Sequence, residues 1–202
     1  MPLRARKKQR TREQIALAAA RLFAQQGFDQ TTIAEIARAA DVSEQTVYNY
    51  FPNKEQLVFD EDAAFEARLV SMVRDRAPGK SLSESVRREA HAFLDELERR
   101  PVAAALKGGM PHLIAVSPTL RRYWLEMAER HTSAVAKALV LERDQALPPA
   151  AAVVIARALT SVFVVIVDEI GKPMREGVNR RTVLKTLRRQ IDLAINLLGE
   201  GL

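Results

Sequence analysis

Gln45, Tyr48 and Asn49 stand at i, i+3 and i+4, a spacing that puts three side chains on one face of a helix. Two of them are amides, which both donate and accept on the edges of bases, and the third offers a ring and a hydroxyl. Thr46 and Tyr50 flank that face, where the phosphates beside a groove would lie. Ser43 opens the same helix, and a helix start presents free N–H groups to anions. Other chemistries find less support. The chain has no cysteine, which excludes disulfides, thiolate zinc sites, iron–sulfur clusters and cysteine nucleophiles. His91, His112 and His131 are far apart, and none pairs with another at helical metal-ligand spacing. There is no Gly-rich phosphate loop and no Gly-x-Ser-x-Gly elbow. We therefore expect no metal, no cofactor and no enzyme. An all-helical enzyme is the alternative, resting on serines, aspartates and histidines that any chain of 202 residues offers.

Charge points the same way. Arg4, Arg6, Lys7, Lys8, Arg10 and Arg12 are accompanied by no acid. These six cations equal the formal net charge of +6, so the rest of the chain is balanced. Residues 1–10 read as a basic flexible arm. Such a block is either a solvated tail or a phosphate-seeking arm that releases counterions from DNA. The longest stretch without Asp, Glu, Lys or Arg is the 13 residues Gly108–Leu120, short of the roughly 20 that cross a membrane. The start lacks an apolar leader. The expectation is a cytoplasmic chain with no membrane partner.

The elements that must position these residues are helices throughout, with no two-residue alternation to suggest a sheet. We expect an all-α fold of about nine helices. Thr11 to Gln14 has the form of a capping box, followed by the stripe Ile15, Ala18, Ala19, Leu22 and Phe23. Gly27 is a left-handed stop, with Phe28 folding back. Thr32 with Glu35 forms a second capping box, Asp41-Val42 is a tight turn, and Ser43 caps a third helix reaching Tyr50. Two short helices on a tight turn are the helix-turn-helix pattern. Val47 and Phe51 face the core of that unit, although Tyr48 and Tyr50 would also serve as its core. Asn53 then caps a helix from Lys54 to about Arg76, and Ala77-Pro78-Gly79-Lys80 is a linker. Later helices run from Ser81 to Arg100, from Pro101 to Gly108, from Ser117-Pro118 to Glu142, from Ala150 to Ile170 and from Asn179 to Leu198.

Gly27-Phe28-Asp29-Gln30-Thr31-Thr32-Ile33-Ala34-Glu35-Ile36-Ala37, followed by Val42-Ser43-Glu44-Gln45-Thr46-Val47-Tyr48-Asn49-Tyr50-Phe51-Pro52-Asn53-Lys54-Glu55-Gln56-Leu57, resembles the DNA-binding domain of the TetR family of bacterial transcriptional repressors. The resemblance is strongest over residues 11–58 and rests on Thr46, Tyr48, Phe51 and Lys54 within that longer match. It implies a DNA-binding domain over 11–56 and an effector-binding and dimerisation domain over 57–202. It implies Thr32 on a phosphate, Gln45, Tyr48 and Asn49 in the recognition helix, and Tyr50 and Lys54 on the backbone beyond it. Phe51 and Leu57 are core. Glu44 departs from the small, polar or basic residue common there; an acid in the first turn suits the helix dipole.

The helix from Ala150 to Ile170 is apolar nearly all round, and one chain covers only part of it. A second copy would cover the rest, making a two-fold four-helix bundle with the last helix; a core helix in a monomer is the alternative. We expect Ala152, Ile155, Leu159, Val162, Ile166, Leu187, Ile191 and Ile195 at that interface. The target would be double-stranded DNA with a near-palindromic operator. The resemblance also implies release by a small-molecule effector bound among the middle helices. The candidates are Phe65, Phe93, Met110, His112, Trp124, Met127, His131 and Phe163, with Met72 beside them. The protein would be a repressor, with a DNA-binding activator as the second reading.

Overall fold

A computed structural model describes residues 3–76, 79–99, 109–141, 147–176 and 180–199. Among these the chain forms nine α-helices and no strand: α1 Leu3–Gln26, α2 Ile33–Ala39, α3 Glu44–Tyr50, α4 Asp62–Arg74, α5 Leu82–Arg99, α6 Met110–Val116, α7 Pro118–Val140, α8 Pro149–Glu176 and α9 Arg180–Gly199. A short 3-10 turn, Glu55–Leu57, precedes α4. The expected short helix from Pro101 to Gly108, the Ala77-Pro78 half of the linker and the Asn179 cap lie outside the described residues.

The first compact unit comprises Met1–Asp60 and Pro101–Arg121. Its α1 begins at Leu3, so Thr11 is not a helix start; its hydroxyl donates to the carbonyl of Lys7 inside the helix. The reason is local: Arg, Lys, Gln and Ala between Leu3 and Arg10 are good helix formers, and nothing there breaks the turn. The stripe behaves as expected, with Ile15, Ala18, Ala19 and Phe23 buried. Gly27 ends the helix at φ 84°, and its N–H reaches the carbonyl of Phe23. A side chain at that φ would be strained. Phe28 returns to place its ring 5.2 Å from that of Phe23.

The capping box of α2 is complete. Thr32 Oγ1 accepts from Glu35 N–H, and the Glu35 carboxylate accepts from Thr32 N–H. The turn to α3 passes through Asp41 at φ 51°, a left-handed conformation that Asp tolerates better than most residues. There the Val42 N–H bonds to the carbonyl of Ala37, as in a Schellman stop. Lys54 does not begin α4. Asn53 caps only the 3-10 turn, through the N–H of Gln56, and the chain breaks again before Asp62.

The second unit comprises Glu61–Arg100 and Arg122–Leu202. In it α5 packs on α4, α8 and α9, and α8 packs on α9. Arg188 of α9 pairs with Asp95 and Glu98 of α5, and Asp192 pairs with His91 and Arg87. A buried hydroxyl pair, Thr132 and Thr160 at 2.7 Å, joins α7 to α8. Helix α8 continues through Gly171 and Pro173 to Glu176, past its expected end. It has the length and composition of a membrane span over Pro149–Lys172, yet Ala152, Ala156, Leu159, Val162, Phe163 and Ile166 are buried within the unit. That is the behaviour of a bundle core helix.

Candidate nucleic-acid interface

The recognition face is built from its buried side. Val47 and Phe51, at i and i+4, are 0% exposed, so α3 is anchored along one stripe. The opposite stripe must then face outward. Gln45 and Asn49 are exposed, and Tyr48 is 45% exposed. The amide of Gln45 donates to Asn49 Oδ1 at 3.2 Å. This contact sets the two side chains side by side and leaves the Asn49 amide N–H groups and the Gln45 carbonyl available for base edges. The three residues picked out by spacing therefore share one accessible face.

The expected phosphate residues are placed less simply. Ser43 Oγ accepts from Thr46 N–H at 3.1 Å and shares a 2.8 Å hydrogen bond with Thr46 Oγ1; both hydroxyls serve the cap of α3. Thr32 Oγ1 donates to the Glu35 carboxylate at 2.8 Å. That carboxylate also accepts from Gln26, and its pKa lies below the ordinary value, chiefly through the Thr32 N–H and then the Thr32 hydroxyl and Gln26. Tyr50 is half-buried, and its carbonyl accepts from Arg12 at 3.0 Å.

Lys54 departs most from expectation. Its ammonium donates to the carbonyls of Phe28, at 3.0 Å, and Thr31, at 2.9 Å, and lies 4.3 Å from the centre of the Phe28 ring. A lysine expected to extend to a phosphate is folded onto the protein. The physical reason is that two carbonyls and a ring face converge beside it and need a cation. Arg12, counted with the basic arm, behaves similarly: it bonds the Tyr50 carbonyl, pairs with Asp60 and stacks over Phe51 at 4.5 Å. The cations left exposed on α1 include Arg4, Lys7, Lys8 and Arg10, with Arg6 among them.

Two further supports escaped the sequence reading. Gln14 donates to the carbonyl of Ala40 at 2.8 Å, closing the end of α2 from α1. Ser117, the expected cap of α7, accepts from Leu120 N–H, and its hydroxyl also donates to Asp29 in the α1–α2 loop at 3.1 Å, the contact that spacing does not show. Both link residues distant in sequence, and no local pattern marks them.

A family model for bacterial regulatory proteins of the tetR family matches residues 15–60. The HTH-type transcriptional regulator TcmR of Streptomyces glaucescens is 28% identical over 67% of this chain and 61% of its own length. The match thus spans about three fifths of that relative. Over a shorter stretch the likeness is closer: HbdR of Aromatoleum sp. (strain CIB), another HTH-type regulator, is 48% identical over 48 residues, 24% of this chain and 21% of that one. Residues 15–60 resemble the DNA-binding domain of the TetR family. A solved TetR-family structure from Mesorhizobium loti MAFF303099 shares its fold, with TM-score 0.56 and 24% identity over 94% of this chain and 95% of that one.

The remaining expected site residues fall in two places. Met110 and His112 are half-buried in α6, in the first unit. In the second, Phe65, Phe93, Phe163 and His131 form one cluster, with ring centres 5.2 to 5.8 Å apart. His131 Nε2 is 2.7 Å from Asp62 at the start of α4, and Arg130 pairs with the same carboxylate. Trp124, Met127 and Met72 are buried in that unit.

The expected dimer residues lie mostly inside the subunit. Ala152, Leu159, Val162, Ile166, Leu187, Ile191 and Ile195 are buried within a single chain, and Ile155 is half-buried. They form the subunit's own core. The large apolar residues left outside are Val153, Val154, at 68% exposed, and Val165 on α8, with Leu193, Leu197 and Leu198 on α9, the first two at 60% and 64%. The stronger stripe of each helix was taken by its own subunit.

Proposed function

We propose that this chain is a ligand-responsive transcriptional repressor that binds a near-palindromic DNA operator as a homodimer. The observation that carries the reading is the division of α3: Val47 and Phe51 are wholly buried while Gln45, Tyr48 and Asn49 are exposed together. Such a helix fits a major groove with its amides toward base edges. Arg4, Lys7 and Lys8 on the exposed first turns of α1 supply phosphate contacts.

The homodimer is supported by the apolar surface that α8 and α9 leave uncovered. Val154 and Val165 are eleven residues apart, about three turns, and Leu193 and Leu197 are one turn apart, so each helix offers a stripe. A two-fold axis through both stripes gives a four-helix interface. The effector is a small, mainly apolar molecule that enters beside the Phe65, Phe93, Phe163 and His131 cluster. Three rings and an imidazole joined to a carboxylate combine apolar contact with a polar handle. By composition and family the chain acts in the cytoplasm and not as an enzyme.

The test is selection of duplexes from a random-sequence pool by the purified chain, followed by transcription from the selected site. The reading requires a symmetric enriched sequence and lower transcription with protein present. Enrichment with raised transcription would assign an activator, and no enrichment at physiological salt would remove the DNA-binding reading.

A further inference from the structure

We propose that Glu44 is a specificity-determining residue of the recognition helix, accepting a hydrogen bond from the N4 amino group of a cytosine in each half-site. This rests on the DNA-binding reading above. Glu44 opens α3 and is exposed, one turn before Tyr48 and next to Gln45. The N-terminal residues of a recognition helix are the ones that meet base edges in the major groove. The hydroxyls at this end are occupied in the cap: Ser43 Oγ accepts from Thr46 N–H and bonds Thr46 Oγ1. The carboxylate of Glu44 takes no part in that cap, and among the described residues it has no hydrogen-bond or ion-pair partner.

Its chemistry decides which base it can meet. Gln45, Tyr48 and Asn49 each carry a donor and an acceptor, whereas an ionised carboxylate has acceptors only. On the major-groove edge guanine presents N7 and O6, both acceptors, and thymine presents O4 and a methyl group. Adenine offers its N6 donor beside the N7 acceptor, a pair matched by a side-chain amide such as that of Gln45 or Asn49. Cytosine alone presents a donor with no acceptor beside it. Glu44 therefore finds a partner on cytosine and meets a repelling lone pair on each of the other three. Charge sharpens the choice. A carboxylate brought into a groove lined with phosphates loses water and is repelled, and where the N4 donor is missing nothing offsets that cost. Glu44 thus acts as much by excluding wrong sequences as by holding the right one. The competing role, an acid in the first turn favouring the helix dipole, requires no particular base.

The wild-type chain, Glu44→Gln and Glu44→Ala each select duplexes from a random-sequence pool, beside a melting temperature for each. Each is then titrated with the wild-type site, with that site carrying thymine in place of the cytosine, and with random duplex. The expected wild-type site holds a cytosine at matching places in both half-sites. Exchanging it for thymine should weaken wild-type binding by about tenfold or more per half-site, the scale of one base contact. In either variant the same exchange should change little. Both variants keep the rest of the selected sequence and lose the preference at that place. They bind random duplex at least as tightly as wild type, because a negative charge has left the groove. A wild-type site without the shared cytosine, or a cytosine that both variants still select, refutes the assignment. Equal losses on all three duplexes with a lower melting temperature would make Glu44 a helix-dipole residue only and also overturn it. Those failures leave the DNA-binding reading standing. A wild-type chain that enriches no duplex removes that reading, and the role of Glu44 with it.

Discussion

Leu193→Ala and Leu197→Ala are expected to separate the dimer without unfolding the subunit. Each leucine is about 60% exposed in the isolated chain. Complete burial of a leucine is worth about 1.5–3 kcal/mol, so burying that exposed share contributes about 1–2 kcal/mol per copy. Two-fold symmetry removes two copies at once, which gives roughly 2–3.5 kcal/mol per substitution. At about 1.4 kcal/mol per decade, the dimer dissociation constant should rise by about 30- to 300-fold. Ile191→Ala is the contrasting variant. Ile191 is buried inside the subunit, so its truncation should cost about 2–5 kcal/mol of folding stability and leave the association of folded chains nearly unchanged. Sedimentation over a concentration series reports the dimer constant, and denaturant unfolding of each variant reports the subunit. Should both leucine variants leave the dimer constant within a few-fold of wild type, the assignment of these stripes to the interface is wrong.

Asn49→Ala should lower affinity for the selected duplex by about 1–3 kcal/mol and leave random duplex nearly untouched; equal losses on both would show that Asn49 reads no base. Removing residues 1–9, which the structure places in the first turns of α1 rather than in a flexible arm, should flatten the log-affinity against log-salt slope by about 0.9 for each phosphate that those turns no longer neutralise, and an unchanged slope would assign them to solvent. Phe51→Ala should cost about 3–5 kcal/mol of stability, because its ring is wholly buried beneath α3; a near-neutral melting shift would contradict that packing. The Glu35 pKa is lowered in the fold, chiefly by the Thr32 N–H. Its contribution is thus present above the unfolded value and lost as pH falls through the folded one. Wild type and Glu35→Gln should therefore converge in stability in acid, and a stability difference that persists unchanged below both values would refute this.

Local chemistry made the helix-turn-helix legible. Thr32 with Glu35, Ser43 before α3 and Gly27 after α1 are caps whose partners lie within four residues, so sequence spacing states the hydrogen bond directly. The same rule failed at Thr11, where the pattern of a capping box sits inside a helix that good helix formers extend to Leu3. Spacing is silent about the contacts of Lys54, because its acceptors are 23 and 26 residues away. A solvent-facing cation and a cation recruited by buried carbonyls have the same sequence signature.

The proposed dimer face shows a different limit. Periodicity gives the direction of an apolar stripe only when the opposite side is polar, and α8 has almost no polar side. On α9 the stripe Leu187, Ile191 and Ile195 is the better one, and the subunit buries it. Intramolecular contact requires no loss of translational freedom. The best stripe on a bundle helix is therefore claimed first by the helix's own subunit, and a partner would receive the second. Thr160 is consistent with this order: a hydroxyl ordinarily marks an outer face, yet this one is buried because Thr132 on α7 and the Ala156 carbonyl satisfy it. For helices of this kind, an interface is better sought in the weaker of two stripes, here Val154 with Val165 and Leu193 with Leu197.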